Sequence, residues 1–310
     1  MIVTVTPNPS VDRTLFIDAL SRGQVTRAKR SLTEPSGKGV NVSLALHAHQ
    51  HPTTAVLPIG GSTGAQLAQM LTSSGVDFRP VPVSGVIRSN ISLAESDGTV
   101  TKVNESGPSL TRAEVRALHE AALAASGGAT WLAVCGSLPE GVDQDFYARL
   151  VHSARQMGLK VALDTSGAAL DWAIQARPDL IKPNADELAE AAGRPLATLG
   201  DAVEAAQHLR RAGAGAVLAS LGADGALLVD GDGVRHGEAP VAHPVSTVGA
   251  GDAMLAGFLA AGGAGPAALA GGLRWAAAAV QHAGTVLTAS DGSAQVTLHD
   301  QADLGRALSR

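Results

Sequence analysis

Val245-Ser246-Thr247-Val248-Gly249-Ala250-Gly251-Asp252-Ala253-Met254 is the stretch on which the reading of this chain turns. A β-favouring Val-Ser-Thr-Val run meets Gly-Ala-Gly and then an acid. A small-residue helix is expected to follow, from Ala253 to Ala261. Glycine adopts backbone angles that other residues resist, so Gly249 and Gly251 let successive amide N–H groups converge on one point. The positive end of the helix lies at the same place, which makes it an anion site. A carboxylate set there is unfavourable unless it has a task, and general-base work beside developing negative charge is such a task. The stretch therefore predicts that Asp252 takes a proton from a hydroxyl. The amides of Gly249, Ala250 and Gly251 would hold a transferring phosphoryl group. Taken alone, the same letters also describe an ordinary strand-to-helix turn with Asp near the helix start.

Composition bounds what can surround this stretch. The 310 residues suffice for one large α/β domain or two small ones. Hydrophobic residues make up 45% and aromatics only 3%, so the core is expected to be Ala, Val and Leu. A formal net charge of −5 with no basic tract excludes an evident nucleic-acid or membrane-surface partner. The one cysteine, Cys135, rules out an internal disulfide framework and fits a reducing, cytoplasmic setting. Met1-Ile2-Val3-Thr4-Val5-Thr6 reads as a strand, not a signal peptide. No uninterrupted run of about 18 apolar residues suggests a membrane span.

Upstream, residues 2–6 read as a buried strand ending at Pro7-Asn8-Pro9. β-like runs follow at 14–17 and 24–30, then a turn at Pro35-Ser36-Gly37-Lys38-Gly39-Val40-Asn41 opening a helix to about His49. A strand at 53–59 and a helix at 62–73 precede a hairpin, 86–94 with 99–104, around Ser96-Asp97-Gly98. From residue 111 helices and strands alternate regularly. Helices are expected at 111–125, 143–156, 168–176, 185–192, 200–212, 252–262 and 266–282. Strands are expected at 130–135, 160–164, 179–181, 215–219, 226–229 and 233–236. Strands separated by such helices imply an α/β domain with a mostly parallel sheet and helices on both faces. The β runs outside the alternation, within about 10–35 and 84–106, would form a small β-sheet lid over a cleft. One domain spanning residues 1–310, with the lid inserted in two pieces, is the expected organisation.

Neither a Walker A pattern nor a complete Gly-x-Gly-x-x-Gly occurs. Other residues suit polar ligands. Gly37-Lys38-Gly39-Val40-Asn41 is a second glycine turn opening a helix, where Lys38 and Asn41 can face a ligand; a capped helix with a solvated Lys reads the same way. Asp12 follows a strand's C-terminal end, where open α/β sheets bind ligands, and a carboxylate there can accept sugar hydroxyls; it is also an ordinary turn residue. Arg88 and Asn90 lie two apart, hence on one strand face, and an Arg fork suits a phosphate dianion. Arg27, Lys29 and Arg30 can add to it, or all of these can be the charges of a solvated edge strand.

Cys135-Gly136-Ser137-Leu138-Pro139 ends a strand at the same edge, with Gly136 and Ser137 placed for substrate and Cys135 expected to be a buried apolar residue. In Lys182-Pro183-Asn184-Ala185-Asp186-Glu187, Asn184 and Glu187 are oxygen donors suited to Mg²⁺ held mostly through water, or a capping box. Ser220-Leu221-Gly222-Ala223-Asp224-Gly225 can lie against a nucleotide or form a tight turn. His47, His49 and His51 are better read as a solvated helix end than as a metal cluster.

Together these motifs resemble the ribokinase-like, or PfkB-type, carbohydrate kinases over nearly the whole chain. Gly37-Lys38-Gly39-Val40-Asn41 and Ser246-Thr247-Val248-Gly249-Ala250-Gly251-Asp252 are similar to the two signature segments of that family. Thr101-Lys102-Val103-Asn104-Glu105-Ser106-Gly107-Pro108 and Cys135-Gly136-Ser137-Leu138-Pro139 resemble its phosphosugar branch. The resemblance implies a three-layer α/β/α core and ATP-dependent phosphorylation of a fructose phosphate, foremost fructose 1-phosphate, with Mg²⁺. Tagatose 6-phosphate and fructose 6-phosphate are the alternative substrates, and a non-catalytic sugar-phosphate-binding regulator is the alternative class. It implies Asp252 as the base, with Gly249, Ala250 and Gly251 as the anion hole. Asp12, Gly37, Lys38, Asn41, Arg88, Asn90, Ser137 and Arg27 would bind the sugar phosphate. Lys182, Asn184, Thr247, Ser220, Gly222 and Gly225 would serve ATP, and Asn184 and Glu187 the metal. The lid sheet could pair two copies into a homodimer. One departure stands out. The family usually has two glycines ahead of the signature Lys, a hinge for lid closure, and here the first is Ser36.

Overall fold

The structure, a computed structural model, describes residues 1–281, 294–299 and 301–309. Its first elements are β1 (Ile2–Val5), β2 (Ser10–Phe16), β3 (Arg30–Ser36) and α1 (Lys38–Ala48). β4 (Thr53–Ile59), α2 (Gly61–Ser73), β5 (Phe78–Pro82), β6 (Arg88–Ala94) and β7 (Val100–Asn104) follow. The regular alternation comprises α3 (Arg112–Ala125), β8 (Trp131–Cys135), α4 (Phe146–Gln156), β9 (Lys160–Asp164), α5 (Gly167–Gln175), β10 (Leu180–Ile181), α6 (Ala185–Ala192), α7 (Leu199–Ala212) and β11 (Ala216–Ser220). A 3₁₀ turn at Gly222–Asp224 leads to β12 (Ala226–Asp230), β13 (Gly233–Glu238), α8 (Ala250–Ala260), α9 (Gly265–Ala279) and β14 (Thr297–His299).

Ten strands form the main sheet in the order β14-β13-β12-β11-β10-β9-β8-β1-β4-β5. From β11 to β5 every neighbouring pair is parallel; β12, β13 and β14 add on antiparallel. Ile-Val-Thr-Val in β1 and Trp-Leu-Ala-Val-Cys in β8 are buried along their whole length, as strands covered on both faces must be. One apolar layer joins the sheet to α3, α4, α5 and α7; the opposite layer joins it to α1, α8 and α9. The scarcity of aromatics is met by close helix approach. A Cβ on Gly257 of α8 would lie 2.6 Å from the Gly271 carbonyl and 2.8 Å from the Trp275 ring of α9.

Several helix starts are set by sequence-local chemistry. Thr111 with Glu114, Asn184 with Glu187 and Thr198 with Asp201 form reciprocal capping boxes at α3, α6 and α7. These fix where α/β connections end, and hence which residues stand on the carboxyl edge of the sheet.

A second sheet, β3-β2-β6-β7, stands apart as the expected lid. β2 pairs parallel with β6, which puts Ser10 opposite Arg88 and Asp12 opposite Asn90. The expected strand at 24–30 is not formed: the lid strand begins at Arg30 and runs to Ser36. Charged and glycine-bearing residues 18–29 instead form an exposed connection, in which Lys29 pairs with Asp18, while Arg30 lies 3.9 Å over the Phe16 ring. Cross-strand pairing with β2 decided that register, and β propensity did not foresee it. Two strands went unpredicted. β5 carries Pro80 and Pro82, unusual in a strand but tolerable at the sheet edge it occupies, and β14 is three residues long. The last expected helix ends at Ala279, and His282 lies outside the described residues.

Candidate active site

The candidate residues converge on the carboxyl edge of the parallel strands. α8 begins directly at the Gly-Ala-Gly turn. Gly249 is its N-cap in the left-handed region at φ 79°, which a side chain would resist, and Ala250 is the first helical residue. First-turn N–H groups of a helix have no intrahelical acceptor, so the Gly251 amide remains available to an anion, and the Ala250 amide, held by a long bond to Thr247, can be shared with it. Thr247 and Ser246 shape the approach: the Thr247 carbonyl accepts from Ala250 N–H at 3.3 Å, and Ser246 Oγ accepts from Val248 N–H at 3.2 Å.

Asp252 stands one residue inside this turn and is buried. Asn41 of α1 donates to its Oδ2 at 2.8 Å. Lys38, three residues earlier on α1, reaches Asp164 Oδ1 at 2.6 Å and Glu187 Oε1 at 3.3 Å. Lys182 reaches the other Asp164 oxygen at 3.1 Å. Lys182 Nζ also lies 3.2 Å from where a Cβ on Gly251 would stand, so the second glycine of the turn leaves room for that ammonium. Two glycine turns from opposite ends of the sequence thus meet around one buried carboxylate, Asp164.

The electrostatics follow from the packing. Burial raises the Asp252 carboxyl, and the neighbouring Asp164 charge raises it further. The Asn41 hydrogen bond and the two lysines pull the other way, leaving it at about 6. Burial also disfavours ionised Asp164, but Lys182 and Lys38 outweigh it and hold that carboxyl below its ordinary value. For Lys38 burial acts to lower the pKa, and Asp164 with Glu187 overturns this and raises it. The site holds one ionised acid fixed by two lysines and a second acid near neutrality.

The lid supplies the other wall. Ser10 Oγ donates to Asp12 Oδ1 at 2.7 Å, and Asn90 Nδ2 donates to the same oxygen at 2.9 Å. Arg88 is pinned through its two terminal nitrogens, to the Glu105 carbonyl at 3.0 Å and the Asn8 carbonyl at 3.1 Å. Burial lowers its pKa, with Asp12 and Glu105 opposing. Asn8 Nδ2 in turn donates to Ser137 Oγ at 3.3 Å, tying the loop after β8 to the lid. Buried Asn8 Oδ1, Asn41 Oδ1, Asn90 Oδ1 and Arg88 Nε have no hydrogen-bond partner among the described residues. Buried polar atoms are rarely left so, and these four are suited to a polar ligand.

The remaining candidates divide. Gly37 takes φ 122°, and a Cβ there would strike the Thr6 side chain at 2.7 Å. Ser36 closes β3 opposite Ser10, so the unusual backbone angle falls on Gly37 alone. Ser220 ends β11 and receives its place from Pro183, whose carbonyl accepts its N–H at 3.0 Å. Gly222 and Gly225 both have positive φ, and a Cβ on Gly225 would meet the Gly237 carbonyl at 2.1 Å. Asn184 Oδ1 accepts from Glu187 N–H at 2.8 Å and Glu187 Oε2 from Asn184 N–H at 2.9 Å. The capping box is therefore formed, and only Glu187 Oε1 turns toward the lysine cluster. Arg27 stands on the exposed 18–29 connection, off the strand that was to present it. The histidines do not gather at the end of α1: His49 stacks on Trp275 at 3.7 Å. Cys135 is wholly buried, and burial pushes its thiol up, as a small apolar residue requires.

Asp164 and Asn8 are the site-lining positions the sequence reading missed. Asp164 carried a usable signal: an acid ending the apolar strand Lys160–Asp164 at the carboxyl edge. Asn8 lay hidden between two prolines and is recognisable only by its partners.

Known proteins resemble this chain in sequence and in fold. A model of the pfkB family of carbohydrate kinases matches residues 6–291. The chain is 38% identical over 261 residues to the 1-phosphofructokinase of Rhodobacter capsulatus, covering 83% of this chain and 82% of that one. It is 41% identical over 259 residues to the 1-phosphofructokinase of Haloferax volcanii, covering 83% of each. Among solved structures, phosphofructokinase-2 from Escherichia coli in complex with potassium superposes with a TM-score of 0.87 at 31% identity, over 94% of this chain and 96% of that one.

Proposed function

The chain belongs to the pfkB family of carbohydrate kinases, and on that premise we propose that it transfers the γ-phosphoryl group of ATP to fructose 1-phosphate, giving fructose 1,6-bisphosphate. The observation that carries the reading is Asp252, buried at the glycine-capped start of α8 with a pKa raised to about 6. A base needs a pKa near the working pH, and here it sits beside backbone donors suited to the charge on a moving phosphoryl group. Asp252 accepts the proton of the C6 hydroxyl as that oxygen attacks. The amides of Gly249, Ala250 and Gly251, with Lys38 and Lys182, offset the charge that develops. Phosphoryl transfer depends mainly on positioning and electrostatics, so the lid contributes by excluding water.

On the sugar side, Asp12 and Asn90 hold hydroxyls and Arg88, its Nε still unpartnered, meets the phosphate already present. Asn41 keeps Asp252 aimed. On the nucleotide side, Lys182, Thr247 and Ser220 line the path, with Gly222 and Gly225 allowing close approach. Mg²⁺ would neutralise the ATP phosphates. The oxygen donors that face the lysine cluster, Glu187 Oε1 and Asp164, suit that ion through water. Asn184 acts there through Glu187, whose backbone it caps.

A coupled assay across fructose 1-phosphate, fructose 6-phosphate, tagatose 6-phosphate and unphosphorylated sugars tests the reading. The expected order has fructose 1-phosphate highest in kcat/KM by at least tenfold; a higher value for a 6-phosphate would reassign the substrate, and no ADP release with any of them would turn the reading to a binding protein. The lid also offers a pairing surface: Val100 and Val103 of β7, at the rim of the sheet, are more than half exposed. We propose a homodimer through this sheet, expected to dissociate in sedimentation runs when Val103→Glu is introduced. Among the described residues no helix is long and apolar enough to cross a membrane.

A further inference from the structure

The loop from Ser220 to Gly225, assigned above to the nucleotide, is fastened by a distant part of the chain. Its 3₁₀ turn lies between Gly222 and Gly225, both at positive φ, so it has little stiffness of its own. Three hydrogen bonds inside the turn shape it: Leu221 N–H to the Gly225 carbonyl, Asp224 N–H to Leu221, and Gly225 N–H to Gly222. The side-chain bonds that tie it to neighbouring elements run through Asp224, which is only 4% exposed.

Asp224 is bound on two sides. His236 of β13 donates from Nε2 to its carbonyl at 2.7 Å. From the segment 303–309, Ser309 N–H donates to Oδ2 at 2.6 Å, Ser309 Oγ donates to Oδ1 at 3.2 Å, and Arg306 reaches Oδ1 at 3.3 Å. Arg306 is itself held by Glu238 Oε1 at 2.7 Å, and the other Glu238 oxygen pairs with His299 at 2.7 Å. The segment does not hang free: Leu199 N–H donates to the Arg306 carbonyl at 2.9 Å, Gly200 N–H to Leu304 at 2.9 Å, and Leu308 N–H to Ala197 at 3.0 Å. It bridges the start of α7, strand β13 and the loop.

We propose that the segment 303–309 is a clamp that sets the height of the 220–225 loop through Asp224, and that Arg306 and Ser309 are positioning residues for the nucleotide. The proposal rests on the kinase reading for what the loop holds, and on the distances above for what holds the loop. Without the clamp, a buried carboxylate would lose its donors and the loop would have to move to hydrate it. Ser220 and Gly222 on the same loop would then shift relative to Lys182, while the sugar side, across the cleft, would stay in place.

The test uses the full chain and the double variant Arg306→Ala with Ser309→Pro, which removes the guanidinium and the N–H donor. Amide hydrogen exchange in the peptide covering 220–225 is expected to quicken at least tenfold. By calorimetry, affinity for ATP is expected to fall at least fivefold and affinity for fructose 1-phosphate to change less than twofold. Arg306→Lys alone, with Ser309 intact, should stay within twofold of wild type in each reading. Arg194→Ala, which breaks an exposed ion pair with Asp201 and Glu204 on the same end of α7, should alter none of these readings. Unchanged exchange in the loop overturns the clamp, as does equal weakening of both ligands. A wild-type protein that binds no ATP sinks the kinase reading instead, and the exchange comparison then judges the clamp by itself.

Discussion

The two walls of the cleft are built on different principles. The wall carried by the main sheet is buried and internally paired: Asp164, wholly inside, is held by Lys38 at 2.6 Å and Lys182 at 3.1 Å, and Asn41 holds Asp252 at 2.8 Å. The lid wall is half-exposed, and its strand register places Asp12 beside Asn90 and Ser10 beside Arg88. The first wall is organised before any ligand arrives, because charges in a low-dielectric setting interact strongly and cannot stay unpaired. The second has no such network of lysines and buried acids; its Arg88 Nε and Asn90 Oδ1, like Asn41 Oδ1 on the first wall, have no partner among the described residues and are left for a ligand to complete. Chemistry should therefore belong to the sheet wall, and sugar selection to the lid.

The sharpest way to break this division is Asp252→Asn. It should lower kcat by about 10²- to 10⁴-fold, the usual contribution of a general base, while thermal unfolding stays near wild type. A variant within tenfold of wild-type turnover would remove Asp252 from the chemistry. Next in size, Arg88→Ala should raise KM for fructose 1-phosphate by roughly tenfold or more, since a hydrogen bond to a charged group contributes about 1.5–3 kcal/mol. KM for ATP should move less than twofold; a parallel rise in both would show that the lid wall does not separate the substrates.

A pH profile probes the sheet wall more finely. The base form of Asp252 is required, so kcat/KM should fall as pH drops through about 6. Asp164 raises that value by its negative charge, and it also neutralises two lysines that would otherwise lower it. In Asp164→Asn both changes act in the same direction, so the acid limb should move to lower pH. A limb that stays in place would mean that another group sets it. The smallest effect is expected on the lid rim. Lys29→Ala breaks an exposed pair with Asp18, and such pairs contribute little in water, so unfolding and both KM values should stay within error.

Legibility followed the same division. The strand at 53–59, the strand at 160–164 and the helix at 185–192 were read to the residue, because apolar runs and capping boxes are local signals. Gly249, Gly251, Asp252, Lys38 and Asn41 were legible from two short glycine turns. Arg27 was misplaced because its strand depends on pairing with β2, which no local propensity reports. Asp164 closes an apolar strand at the carboxyl edge, a signal shared by many strand ends, and only the two lysines brought to it from elsewhere single it out. Asn184 and Glu187 were read both as a capping box and as metal donors. The structure forms the box and leaves one Glu187 oxygen facing Lys38.

By itself the sequence determined the alternation of strands and helices, the left-handed glycine at the start of α8 and the presence of an acid beside it. These depend on backbone sterics and on residues within a few positions of one another. Only the tertiary structure decided that Asp252 is shifted toward neutrality while Asp164 stays ionised. That outcome depends on burial and on charges from α1, β9 and the residue that follows β10 meeting within a few ångströms, and electrostatic energy depends on distance in space, to which position along the chain gives no access.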